Sequence, residues 1–414
     1  MDVLKFITCG SVDDGKSTLI GRLLWDSEAV SLDIREAIER QRKHNGQETV
    51  ELALLTDGLR AEREQGITID VAYKYFTTKK RKFIIADAPG HIQYTRNMIT
   101  AASNADVAIV LIDARFGVVE QTVRHTLLAS LLNLTQIVVA VNKMDLVGYE
   151  EAIFEQIKTK YLVLTNRLKL PKVTFIPMSA KNGDNVVTSS KNIIWYKGET
   201  LLNYLETIPI IPPQTAESRF QVQYVIRPQG SDYRGYAGRI QSGVYRKGDK
   251  ILVLPSDLPS EIVKIEENLQ EVETAIAGQS VVLHLKDNID ISRGDSIVVQ
   301  GATVEVGSQL QAYLCWFDEK QALTNGARLL LQNGSNTVKV IVQSIDYQLD
   351  ISTLEKIEVE KATLNAIVKV RLRTAQPIVF DTYNTNRQTG SFVLVHPNNH
   401  HTVAAGMIVL NENE

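Results

Sequence analysis

Phe6-Ile7-Thr8-Cys9-Gly10-Ser11-Val12-Asp13-Asp14-Gly15-Lys16-Ser17-Thr18-Leu19-Ile20-Gly21-Arg22-Leu23-Leu24-Trp25 decides the fold. Residues 6–9 read as a short buried strand, and residues 16–25 carry apolar side chains at helical spacing. Between them, residues 10–17 have the form G-x-x-x-x-G-K-[ST]. The glycines let the backbone curl so that successive N–H groups face one concavity, which is an anion site. The helix starting at Lys16 adds its positive end. Lys16 is placed to reach the outer phosphates of a nucleotide, and the Ser17 hydroxyl to ligate Mg²⁺. Asp13 and Asp14 are unusual beside a triphosphate, so their carboxylates are expected to turn away from it.

Outward from this loop, the first half alternates short apolar runs with helical patterns, the signature of a βαβ parallel sheet. The runs are 6–9, 83–86, 107–112, 137–141 and 173–177. A proline-rich stretch, IPIIPPQ (residues 208–214), then reads as a stiff linker. Beyond it come short strands separated by glycine turns, in two series without self-similarity. The expected architecture is therefore an α/β P-loop domain, mostly parallel, followed by two antiparallel β-barrels. The boundaries are 1–207, linker 208–214, 215–304 and 305–414.

The 414 residues carry 45 Lys+Arg against 48 Asp+Glu, a net −3, so the basic excess of a general nucleic-acid or membrane binder is missing. With 44% hydrophobic and 22% charged residues the composition suits a soluble multidomain protein. The longest apolar runs, such as 107–112, are too short to span a membrane, and MDVLKFITCG lacks the features of a secretory signal. Cys9 and Cys315 cannot build a disulfide framework or a four-ligand zinc site, and both read as small core residues. A cytoplasmic location is expected.

Three further motifs follow candidate strands. Asp87-Ala88-Pro89-Gly90-His91 has the D-x-x-G form: Asp87 is placed for the Mg²⁺ shell, and the Gly90 N–H for a γ-phosphate. Asn142-Lys143-Met144-Asp145 chooses the base, because a carboxylate at Asp145 accepts from both N–H groups on one edge of guanine. Sites of that kind reject the wrong partner by up to ~10⁴–10⁵. Ser179-Ala180-Lys181 stands where a base-closing loop belongs. Four ordered motifs at strand ends make this a GTP-binding domain. Its expected contacts are Gly10, Ser11, Val12, Asp13, Asp14, Gly15, Lys16, Ser17, Thr18, Asp87, Ala88, Pro89, Gly90, His91, Asn142, Lys143, Asp145, Ser179, Ala180 and Lys181. Between the first two motifs, the charged run 33–45 reads as a solvated helix face. In residues 58–70, Thr68 has the type and order of a switch threonine on Mg²⁺. Lys16, Thr68 and His91 are the expected catalytic residues, with His91 orienting the attacking water. Ser17, Thr68 and Asp87 are the expected metal ligands.

Taken together, GSVDDGKST, AEREQGITID, DAPGH, RNMITAAS, NKMDL and SAK, followed by two barrels, resemble the elongation factor Tu/1A class of translational GTPases. Within that class the chain is more similar to the large, GTP-binding subunits of bacterial two-subunit sulfate adenylyltransferases. Asp14 before Gly15, GDNV at residues 183–186, Trp195-Tyr196, Asp232-Tyr233-Arg234-Gly235-Tyr236, Leu314-Cys315-Trp316 and the NRQTGSF segment (386–392) carry the closer likeness. Ala101-Ala102 departs from a more usual Gly-Ala, a change that favours helix. Some relatives carry an adenylylsulfate kinase domain, which is not expected here since the chain ends at Glu414.

The resemblance implies a cytoplasmic heterodimer acting in sulfate assimilation and cysteine biosynthesis. GTP and Mg²⁺ bind this chain. A small catalytic subunit resembling ATP-pyrophosphatases transfers the adenylyl group from ATP to sulfate, and GTP hydrolysis drives that transfer. Neither nucleic acid nor membrane is an expected partner. The alternative is a GTP-dependent aminoacyl-tRNA carrier like elongation factor 1A. His400-His401 reads as a polar hairpin tip, and Trp195-Tyr196 as packing.

Overall fold

The computed structural model describes residues 1–30, 33, 35–36, 38, 40, 52–55, 71–90, 95–170, 172–210, 217–230 and 232–410. Thr68, His91, the run 58–70, most of the charged run 33–45 and linker residues 211–214 lie outside the described residues. The chain divides into two compact units, residues 1–211 with 351–354 and residues 212–350 with 355–414.

The first unit is built on a six-stranded sheet: β1 (Val3–Cys9), β2 (Ala72–Thr77), β3 (Lys82–Asp87), β4 (Val107–Asp113), β5 (Gln136–Asn142) and β6 (Val173–Pro177). Their order is β2-β3-β1-β4-β5-β6, parallel except for β2, which runs antiparallel to β3. All seven residues of β4 are buried, as a strand covered on both faces requires. β2 was not among the strands expected from the sequence. It lies at the edge with Tyr73 and Tyr75 exposed, so it lacks the apolar run that marked the others. Phe6, Phe83, Ile109 and Val138 share one core with Leu19 and Leu23 of the helix Lys16–Asp26 and with Leu201 and Leu205 of the helix Leu201–Thr207. From β1 the chain passes first to one side of the sheet, through β2 and β3, and then to the other. Ligands of such sheets sit outside the carboxyl ends of the strands at this reversal.

Each barrel of the second unit closes with six antiparallel strands. The first runs Lys250–Leu254, Ser296–Val299, Arg219–Ile226, Gly235–Ser242, Ser280–Leu285 and Leu258–Glu267, the last pairing back to the first. The strand Leu258–Glu267 was not expected: charged Glu261, Lys264 and Glu266 interrupt its inward Ile262 and Ile265. The second barrel runs Arg328–Asn333, Ser391–Val395, Thr402–Val409, Glu305–Trp316, Ile367–Phe380 and Asn336–Leu349, closing on Arg328–Asn333. No helix among the described residues is long and apolar enough to cross a membrane. Cys9 in the first unit and Cys315 in the second are outside any disulfide, each 1% exposed.

A polar seam joins the two barrels. The Arg219 guanidinium donates to both carboxylate oxygens of Asp381, at 2.8 and 2.9 Å, with Arg219 2% and Asp381 6% exposed. Thr389 donates to the same carboxylate, and the Asn386 amide donates to Ser242 Oγ at 3.2 Å. Gln221 donates to the Asn333 carbonyl and accepts from the Ser335 N–H. The NRQTGSF segment is thus part of this seam. Removing one partner of a buried pair leaves an uncompensated charge, so Asp381→Ala is expected to destabilise this unit by about 3–5 kcal/mol. Urea unfolding followed by circular dichroism measures it, and a loss under about 1 kcal/mol would show the pair to be dispensable.

A second buried carboxylate titrates. Glu266 sits beside Lys264 Nζ, accepts from Tyr233 OH at 2.6 Å and lies 3.3 Å from His284 Nε2. The Lys264 and Tyr233 contacts hold its carboxyl at about 2, below the ordinary 4.5. A depressed folded-state pKa stabilises above the unfolded value and is lost as pH falls through the folded one. Stability is therefore expected to fall between about pH 4.5 and 2 in acid titration, and Glu266→Gln to flatten that part of the curve.

Candidate functional site at the carboxyl ends of the strands

Four loops converge at one edge of the sheet because each follows a parallel strand: β1 leads into residues 10–15, β3 into Asp87 to Gly90, β5 into Asn142 and Lys143, and β6 into Ser179 to Lys181. Ser17 and Thr18 occupy the first turn of the helix that follows the first loop. The segments that carry the expected contacts among the described residues thus all follow strands at this one edge. Asp145 stands half-buried in the short helical turn Met144–Val147, directly after Lys143.

The buried Asn142 side chain ties three of these loops. Its amide donates to the Asp14 carbonyl at 2.8 Å, and its oxygen accepts from the Ala180 N–H at 2.9 Å. Gly15 lies against that amide with φ +94°, where a Cβ would stand 2.5 Å from Asn142 Nδ2. Only glycine meets both demands. The tie to Asn142 fixes where the Asp14 carbonyl of the phosphate loop lies.

The carboxylate of Asp14 folds back onto its own loop and accepts from the Ser11 N–H at 2.5 Å. Burial raises its pKa, working against that hydrogen bond and Lys16. The Lys16 ammonium is buried and donates to the carbonyls of Gly10 (3.1 Å) and Ser11 (2.7 Å). Burial pushes it down from the ordinary lysine value, while Asp87 and Asp14 hold it up. Asp87 is 2% exposed and accepts from Thr8 Oγ1 at 3.2 Å. Gly90 packs directly on the loop, since a Cβ there would lie 2.6 Å from Lys16 Nζ and 2.9 Å from the Gly10 carbonyl.

On the base side, Lys143 Nζ donates to the Asp13 carbonyl and pairs with Asp113 at 2.9 Å. Burial works to raise the Asp113 carboxyl, but Arg115 and Lys143 prevail and hold it at about 2. Two bracing residues carried no sequence signal. Arg22 donates to the carbonyls of Ala180 and Lys181, 158 and 159 residues away. Gln121 donates to the Gly90 carbonyl at 2.9 Å from the first turn of the helix Glu120–Leu131. Beyond Lys181, Asp184 accepts from Tyr149 and Ser190 while Asn185 donates to the Pro177 carbonyl, so the GDNV residues shape the loop after Ala180. Trp195 packs on Phe154 and donates to the Tyr149 carbonyl.

Residues 1–210 match the family described as the elongation factor Tu GTP binding domain, and residues 309–409 the GTP-eEF1A C-terminal domain-like family. Over 99% of its length the chain is 49% identical to the sulfate adenylyltransferase subunit 1 of Cellvibrio japonicus, covering 87% of that protein. The chain belongs to the sulfate adenylyltransferase subunit 1 family. The member from Bacteroides fragilis is 48% identical, with 99% of this chain and 86% of that protein covered. The bifunctional enzyme CysN/CysC of Mycobacterium tuberculosis is 47% identical, over 98% of this chain and 67% of its own length.

In this subunit 1 family member, Asn142→Ala would leave the Asp14 carbonyl and the Ala180 N–H without their partner. Each such loss costs about 1–3 kcal/mol. The variant is expected to bind GTP at least about tenfold more weakly while keeping its far-ultraviolet circular dichroism. Titration with a fluorescent GTP analogue measures it, and unchanged affinity would remove Asn142 from the site.

Proposed function

We propose that this chain is the GTP-hydrolysing subunit of a sulfate adenylyltransferase. Its GTP cycle drives ATP + sulfate to adenylylsulfate + pyrophosphate on a small subunit resembling ATP-pyrophosphatases. The observation that carries the reading is likeness to subunit 1 proteins along the whole chain, barrels included. Transfer onto sulfate is uphill because the phosphosulfate anhydride is a high-energy product, so a second nucleotide is needed as driving force. A ligand shifts a partner only through its differential affinity for two states. The GTP and GDP forms of residues 1–207 therefore make different contacts with the small subunit. The complex works in the cytoplasm.

The motifs and the geometry of the described residues support the following roles within the site. The loop N–H groups and Lys16 bind the phosphates, and burial of Lys16 strengthens its attraction to them by excluding water. Asp145 reads guanine, while Ala180 and Lys181 close over the base. Mg²⁺ suits the oxygen donors Ser17 and Asp87, together with Thr68, because this ion takes one or two protein ligands plus phosphates. The buried Asp87 carboxylate, oriented by Thr8 at the end of β3, supports this donor set. When bound, the ion neutralises charge on the β- and γ-phosphates. His91 orients the attacking water.

Reconstitution with the purified small subunit tests the reading. Pyrophosphate release is expected to require ATP, sulfate and GTP together, and to disappear with Lys16→Ala. GTP-dependent aminoacyl-tRNA binding without that activity would overturn it. Asp145→Asn is expected to erode selection of GTP over ATP, since an amide presents a donor where a second acceptor is needed; competition binding reads this out. His91→Ala is expected to slow hydrolysis by ~10²–10⁴ with GTP binding preserved. Equal loss of both would make His91 structural.

A further inference from the structure

The outer wall of the second barrel carries a basic groove that the nucleotide site does not use. It encloses about 560 Å³. Cross-strand register sets its shape: Arg328 pairs with Ile341, Ile341 with Arg373, and Leu330 with Lys339. Directly paired residues share a face of the sheet. The alternate residues Leu329, Leu331, Val340 and Val342 fill the barrel core, so this set points outward. Arg328 and Arg373 stand two strand spacings apart, about 9–10 Å, with Ile341 between them. Leu330 and Pro397 complete the apolar floor, and Lys339 adds a third cation.

All three cations are exposed, the lining contains no acidic residue, and among the described residues their side chains make no ion pair. Arg371, two residues from Arg373 on the same strand, shows the contrast, because it meets Asp346 at 3.2 Å. An uncompensated cationic rim around an apolar floor is complementary to carboxylates flanking an apolar side chain. It does not suit RNA: the lining holds no aromatic side chain for base stacking, and phosphates would face Leu330 and Ile341. The barrel is closed, so no strand edge is available for a peptide to pair with, and recognition falls to side chains.

We propose that this groove docks an acidic segment with apolar anchors, carried by the small catalytic subunit. The inference rests on the function proposed above. It makes the second barrel a tether for the partner.

Isothermal titration of the full chain with the purified small subunit tests it. Wild-type affinity is expected to fall as NaCl is raised. The Arg328→Glu, Arg373→Glu double variant should raise Kd at least about tenfold while keeping GTP binding and thermal stability. The Arg328→Lys, Arg373→Lys variant should restore most of the affinity. A reversed-charge variant that binds the small subunit as tightly as wild type overturns the docking site and leaves the function standing. Absence of any wild-type complex overturns the function, and the docking site with it. Unchanged subunit binding with lost tRNA binding would make the groove an RNA surface and also overturn the proposal.

Discussion

One side-chain amide sets the spacing on which the nucleotide site depends. Asn142 spans from the Asp14 carbonyl to the Ala180 N–H with both ends of the amide used. The phosphate loop and the base loop come from opposite parts of the sheet, and neither is positioned by its own sequence alone. A buried amide satisfied at both ends resists displacement, because moving either loop strands a polar group away from water. The close approach at Gly15 follows from the same constraint, and Arg22 reinforces it from the first helix. The distance between phosphate and base subsites is thus fixed before a ligand arrives, which lowers the ordering cost of binding.

What the sequence revealed about the fold depended on how the hydrophobic signal was written. β1, β3, β4, β5 and β6 announced themselves because strands buried on both faces need continuous apolar runs. β2 and the barrel strand Leu258–Glu267 stayed hidden, since neither carries a continuous apolar run: Lys74 interrupts β2, and Glu261, Lys264 and Glu266 interrupt the barrel strand. At the site, the motif residues were legible because phosphate, guanine and backbone geometry demand particular residue types at fixed spacings. Gln121, Arg22 and Asp113 were not. Their roles come from contacts that only the folded chain creates, and glutamine, arginine or aspartate at those positions satisfies no local rule. The carboxylate of Asp14 likewise finds its partner, the Ser11 N–H, only once the loop has curled.

The C-terminal half shows a related division of labour. Each barrel has its own apolar core, and the join between them combines a small apolar cluster of Leu254, Val298 and Val379 with a polar seam that has a buried arginine and carboxylate at its centre. The apolar cluster alone would tolerate sliding, whereas a bidentate guanidinium–carboxylate pair with a threonine on the same oxygen admits one arrangement. The NRQTGSF segment, first noticed as a family signature, supplies Asn386 and Thr389 to that join. Part of its sequence is therefore tied to the geometry of the join.

The placement of the two thiols gives the molecule a pair of built-in reporters. Cys9 lies on β1 directly before the phosphate loop, where burial pushes its thiol up to about 12, and Cys315 lies in the second barrel. Both are buried and out of reach of an alkylating reagent while their cores are closed. Because each unit holds one of them, labelling at Cys9 clocks the opening of the nucleotide-binding sheet, and labelling at Cys315 clocks that of the barrels. The same shielding keeps an oxidant from reaching the strand that positions Lys16, so peroxide exposure spares the phosphate loop for as long as the chain stays folded.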